Sequence, residues 1–316
     1  MSPPKITLTG SIPTDALGGG GPSLNGRRTI TEPAPKGERW REAAFKALLI
    51  GCLALGMLVL VVLLGQVITK GWQGLNLDLL RRMPSIRPSR AGIQSALFGT
   101  VWVVGITALV AIPVGVAAAV YLEEYADRRR WYNRLIELNI QNLAAVPAIV
   151  YGILGLGLIY RGFLSFGPSV LTAALTLALL VLPMVIIASR EAIRAVPNSI
   201  RLGALALGAT KWQTTRRQVL PAAIPGIATA SILALSRAMG EAAPLILLGG
   251  ATFITYNPDG IDSGYTTLPI LIFSWIKEPR DDYRILAAAA IVVLLVVLLV
   301  MNSVAILIRN RYQRQW

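Results

Sequence analysis

The sequence predicts an all-α, polytopic membrane protein with six transmembrane helices. Of its 316 residues 54% are hydrophobic and only 15% charged, against about 25% charged in ordinary soluble domains. Mean hydropathy is +0.61, more apolar surface than a soluble core can hide. Runs without a charge recur at the length of about 20 residues needed to cross hydrocarbon. The net charge of +14 suits cations gathered beside helix ends better than a nucleic-acid surface. With no His and one cysteine, Cys52, an internal disulfide is excluded, and neither a Cys/His metal site nor a His-based triad is expected.

Residues 1–42 are rich in Pro, Gly, Ser and Thr, with GGGG at Gly18 to Gly21. They are expected to form a disordered tail ahead of a transmembrane domain over 43–316. The run Ala47 to Thr69 has 23 residues without a charge, too long for the core of a signal peptide, and reads as the first span. Five spans follow by the same test: Ala91 to Leu122, Leu138 to Tyr160, a run within Gly162 to Ser189, roughly Ala222 to Gly250, and Ile285 to Ile308. Pro113, Pro147, Pro183, Pro225 and Gly240 lie inside these runs, as membrane bundles tolerate when neighbours satisfy the freed backbone groups. Small residues at Ile112 to Gly115 and Gly155 to Gly157 favour close helix packing.

Six spans put both termini on one side. The segments on that side carry 20 Lys and Arg, those opposite carry nine, which places the termini in the cytoplasm. The exception is the first outer loop, with Arg81, Arg82, Arg87 and Arg90. On the cytoplasmic side, 190–221 forms the longest basic segment between two spans. Its Ile200, Gly203, Ala204, Leu207 and Gly208 recur at helical spacing among Arg201, Lys211, Arg216 and Arg217, which predicts a short surface helix. Glycine on a packing face costs about 1 kcal/mol against alanine, so the pattern points to close approach of another protein's backbone. A helix lying on anionic lipid is the competing reading.

The run Leu202 to Pro221, LGALALGATKWQTTRRQVLP, resembles the EAA loop of ABC importer permeases, with Leu202 where that pattern has glutamate. The blocks PVGVAAAVYLEEYA (Pro113 to Ala126), NLAAVPAIVYGILGLG (Asn142 to Gly157), SRAMGEAAPLIL (Ser236 to Leu247) and TTLPILIFSW (Thr266 to Trp275) resemble, in that order, the PstA-type permease subunits of phosphate importers, a likeness covering roughly 91–310. The resemblance implies a type I ABC importer permease fold in a bacterial inner membrane. It implies as partners a second, PstC-like permease, a dimer of PstB-like ATP-binding subunits and a periplasmic PstS-like phosphate-binding protein. ATP and Mg would be used by the partner ATPase, and no cofactor, metal or catalytic residue is expected in this chain. Gly203, Ala204, Gly208, Ala209 and Thr210 would couple to the ATPase, and Arg237, Glu241 and Ser236 would line the substrate path.

The chemistry of the pair agrees with this. Arg237 and Glu241 are four apart, on one helix face, and a charge near the bilayer centre costs roughly 2.5 to 3.5 kcal/mol on insertion scales. A guanidinium fork suits an oxyanion. Phosphate at neutral pH still carries a proton for a carboxylate to accept in a hydrogen bond, whereas sulfate does not. An ion pair that merely makes the helix insertable is the rival explanation. Thr100, Thr107, Asn142, Tyr151 and Ser236 either line a pore or bond locally. The outer segment from Ala251 to Arg284 is expected to hold a short helix at the outer mouth, or else to anchor at the interface through Trp275 and Tyr283. No phosphate-binding loop of the G-x-x-x-x-G-K-[ST] kind occurs, so a transport subunit driven from outside is favoured over a membrane enzyme. A sulfate or molybdate permease and a non-transporting membrane scaffold compete with the phosphate assignment.

Overall fold

The computed structural model describes residues 36–127, 129–162, 165–250 and 253–312. The expected tail lies outside the described residues up to 35, and from Lys36 the chain is already helical. The α-helices are α1 (Lys36–Trp72), α2 (Leu77–Arg81), α3 (Gln94–Val120), α4 (Trp131–Ala144), α5 (Ala148–Gly155), α6 (Val170–Arg194), α7 (Asn198–Ala206), α8 (Lys211–Thr214), α9 (Leu220–Gly240), α10 (Ala243–Leu247), α11 (Leu268–Lys277) and α12 (Asp281–Tyr312). Five-residue π turns extend α3 (Tyr121–Tyr125) and α5 (Leu156–Tyr160) and join α8 to α9 (Thr215–Val219).

The chain divides into two units, Met1–Leu60 and Val61–Trp316. In the first, the side chains of α1 from Trp40 onward are exposed, and their apolar character all round the helix suits hydrocarbon. The second is built around α6, two-thirds of whose most apolar stretch is buried. Small residues explain its central position. Thr172, Ala173, Ala174, Thr176 and Ala178 let neighbours approach closely. At Gly115 of α3 an added Cβ would lie 2.7 Å from Val185 Cγ1. Thr107 reaches across from α3, donating to the carbonyls of Val103 (2.8 Å) and Ala174 (3.1 Å).

Two expected spans differ in detail from the sequence reading. Among the described residues five helices are long and apolar enough to cross a membrane, or six spans result if one bent pair is counted as a span; the run Leu138 to Tyr160 lies in that pair, Trp131–Ala144 and Ala148–Tyr160, bent by 104°. Pro147 sits at the bend with φ −58° and ψ 138°, and it withholds the N–H that would continue the helix. The Tyr151 hydroxyl donates to the Leu143 carbonyl across the break at 2.8 Å. The fifth span starts earlier and stops sooner than Ala222 to Gly250. A continuous helical run of 30 residues, α8 and α9 joined through the π turn, extends from Lys211 to Gly240. It ends because Glu241 turns extended (φ −80°, ψ 114°) and Pro244 opens α10.

The outer segment does hold a short helix, α11, buried against α3 and α12. Thr100 donates to Ala96 within α3 and accepts the Leu268 amide at 2.9 Å, seating α11. Trp275 and Tyr283 are buried, their rings 6.2 Å apart, and the Tyr283 hydroxyl reaches the carbonyls of Ser85 and Ile86. They pin internal structure rather than meeting an interface.

Candidate functional site

Arg237 lies near the end of α9, where Ala234 and Ala238 pack into a core with Val181 and Val185 of α6 and Ala111 of α3. That packing turns residue 237 outward along the edge of α6, where one terminal nitrogen, Nη1, points at Met184 Sδ, 3.5 Å away. Its side chain is 57% exposed and that of Glu241 only 22%, with Nε and Oε1 3.6 Å apart. The two attract, but at this separation no hydrogen bond closes between them. The guanidinium therefore keeps donors open, while the carboxylate is held by the helix break.

The break itself is fixed from outside α9. A Cβ at Gly152 of α5 would lie 2.7 Å from Pro244 Cα, so glycine allows α5 to touch the backbone just beyond Glu241. The Tyr265 hydroxyl donates to the Leu245 carbonyl at 3.1 Å. Ser236 faces away from the pair. Its Oγ stands 2.8 Å from the Ile232 carbonyl and 2.6 Å from Asn302 Oδ1 on α12. The structure thus brings Arg237 and Glu241 together and leaves Ser236 bonded to a neighbouring helix.

The second group of expected site residues lies on α7 and the turn after it. Leu202, Leu205 and Leu207 are exposed, Leu207 at 90%, and a Cβ added at Gly203 or Gly208 would meet open space. Gly208 has φ +80°, a conformation glycine adopts without strain, so its presence is required by the turn as well as permitted by the surface. Ala209 donates to the Ala204 carbonyl at 3.1 Å. Thr210 and Gln213 form a reciprocal capping box for α8.

An ion-pair cluster behind α7 was not anticipated from the sequence. Arg201 of α7 contacts Glu124 Oε1 at 3.0 Å from Nε and 2.8 Å from Nη2. It also donates to the Val196 and Ile193 carbonyls, at 2.6 and 2.9 Å, where α6 ends. Glu123, next in line, lies 3.2 Å from Arg194 and 3.6 Å from Arg190, and Arg190 reaches Glu137 of α4 at 2.8 Å. Lys211 sits over the Tyr125 ring, 5.2 Å from its centroid. The signal in the sequence was the adjacent pair Glu123 and Glu124 in a chain with only 16 acidic residues. What it lacked was any sign of which arginines they meet.

A family model described as binding-protein-dependent transport system inner membrane component matches residues 111–314. The phosphate transport system permease protein PstA 1 of Mycobacterium tuberculosis (strain ATCC 25618 / H37Rv) is 35% identical over 227 residues, 71% of this chain and 72% of that protein. The PstA protein of Yersinia pestis is 28% identical over 284 residues, covering 89% and 95%. Among solved structures, a chain of the bacterial alginate ABC transporter in complex with a pentasaccharide-bound periplasmic protein aligns with a TM-score of 0.62. It is 17% identical, with 85% of this chain and 94% of that one covered. The MetNI methionine ABC transporter in inward-facing form gives 0.57 at 16% identity over 69% and 95%. At such identities the structural likeness concerns the fold.

Proposed function

We propose a function from one premise: the chain belongs to the family of binding-protein-dependent transport system inner membrane components. It is a permease subunit of an ATP-driven importer, and its solute is inorganic phosphate, the solute in the names of its relatives. The observation that carries this reading is the exposed guanidinium of Arg237 beside the covered carboxylate of Glu241 at a helix break. A charge exposed at the end of an apolar helix is stable where water or a second subunit runs along it.

Broken helices at membrane depth line solute sites in other transporters. A phosphate arriving here meets the free donors of Arg237, and its P–OH group donates to Glu241, which sulfate cannot do. Glu241 also keeps the empty site close to neutral. The partners in this reading are a second permease similar to PstC, two PstB-like ATP-binding subunits and a periplasmic PstS-like binding protein. Both termini face the cytoplasm, on the side richer in Lys and Arg.

The face of α7 with exposed Leu202, Leu205 and Leu207 and the open Gly203 and Gly208 is the docking surface for the ATP-binding subunit. ATP with Mg is bound there by the partner and not by this chain. Movement of α7 passes to α3 through Arg201 and Glu124 and to α6 through the two carbonyls that Arg201 holds.

The test is uptake of radiolabelled phosphate into vesicles containing the assembled importer. Arg237→Gln should abolish uptake while assembly persists. Unchanged uptake would remove the arginine from the path and with it the chemical basis of the reading.

A further inference from the structure

We infer that the groove between α9 and α12 is a binding site for an anionic phospholipid. It has a volume of about 830 Å³ and runs along Pro221, Ile224, Ala228 and Leu235. Among the described residues its only charged lining residues are Arg217 and Arg309, near the start of the long helix Lys211–Gly240 and the end of α12.

Among the described residues neither arginine forms an ion pair, whereas Arg190, Arg194 and Arg201 in the same half of the molecule all do. Arg309 is oriented by neutral acceptors alone, Thr229 Oγ1 at 2.8 Å and Asn310 Oδ1 at 3.1 Å. The groove is thus apolar along its length with two unneutralised guanidinium groups at one end, a charge pattern complementary to an anionic amphiphile. Guanidinium forks favour phosphate oxygens, and basic pockets between membrane helices on the cytoplasmic side hold anionic headgroups.

The dimensions also fit. From Pro221 to Leu235 is about 21 Å at 1.5 Å per residue, enough to receive one acyl chain from the headgroup level past the middle of a hydrocarbon core about 30 Å thick. The groove is separate from the Arg237 site. Ala228 and Arg237 are nine residues apart on one helix, about half a turn out of phase at 3.6 residues per turn, so the two sites use opposite faces of α9. The inference stands whether or not Arg237 conducts phosphate.

The importer, purified whole, is reconstituted in nanodiscs of phosphatidylcholine with a minor share of phosphatidylglycerol, and retained lipid is counted by native mass spectrometry. Preferential retention of phosphatidylglycerol is expected, falling about tenfold or more in the double variant Arg217→Gln/Arg309→Gln, as two charge-assisted contacts are removed. Ala228→Trp, which fills the groove and keeps both arginines, should produce a comparable loss. Equal retention in the wild type and in Ala228→Trp would overturn the assignment. So would an Ile224→Cys probe in a Cys52→Ser background that cross-links to the second permease, since the groove would then be a subunit seam. Loss of inorganic phosphate binding, with no change in lipid, in the double arginine variant would overturn it as well.

Discussion

Replacing Arg201 by Gln should unseat α7 from the rest of the bundle. The side chains of Glu124 and Arg201 are 8% and 18% exposed, and removing one partner of a buried ion pair costs about 3 to 5 kcal/mol. The lower end applies here, because a cavity of about 590 Å³ opens beside both residues and lets water reach the carboxylate. About 3 kcal/mol corresponds to a change of roughly a hundredfold in the ratio of seated to unseated helix. Backbone amide exchange over residues 198–207 of the reconstituted importer reads this ratio directly and should accelerate by about that factor. Arg201→Lys keeps the charge but loses the fork that reaches Glu124 and two carbonyls together, so its acceleration should be intermediate. Exchange within about threefold of wild type for Arg201→Gln would refute the reasoning, since the pair would then contribute no more than a surface contact.

Four further outcomes follow from the same geometry. If Glu241 accepts the P–OH proton as proposed, Glu241→Gln weakens that acceptor and should narrow the preference for phosphate over sulfate, read as competition by sulfate in the uptake assay. Gly152→Leu should drive the backbone at Pro244 away from α5 and lower phosphate uptake with Arg237 unchanged; uptake equal to wild type would mean that the break tolerates displacement. Gly208→Val forces a β-branched residue to φ +80°, at a cost of order 1–3 kcal/mol, and should lower the thermal midpoint of the complex. The hydroxyl of Ser263 bonds to the Asp259 carboxylate and holds its pKa below the usual carboxylate value of 3.8. The resulting stabilisation of this loop is present above that value and is lost as pH falls through the depressed one. Ser263→Ala should move the Asp259 titration back up, as followed by NMR.

Length and charge-free runs locate the spans because hydrocarbon imposes one dominant requirement, and that requirement is written in composition. They do not locate the breaks. Pro113, Pro183 and Pro225 lie inside continuous helices, whereas Pro147 sits in the break between α4 and α5 and caps the start of α5. The difference is set by what surrounds each proline rather than by the residue itself. Pro244 is a similar case, since the run around Glu241 reads as one span until the extended backbone at 241 is seen. Spacing alone brings Arg237 and Glu241 together, four residues apart. It cannot reveal the alliance of Arg201 with Glu124, 77 residues away, because an isolated acidic pair carries no address. Gly208 marks the right region in the sequence, yet the backbone conformation that demands it lies outside any pattern of hydrophobicity.

The unbroken run from Lys211 to Gly240 ties two distant events to one solid object. Arg237 stands 26 residues from Lys211, about 39 Å along the axis. With the Lys211 end as pivot, tilting such a rod by about 5° sweeps the guanidinium sideways by about 3 Å, roughly the length of one hydrogen bond. In the proposed function, a small angular change at the Lys211 end is therefore enough to make or sever a contact between Arg237 and phosphate.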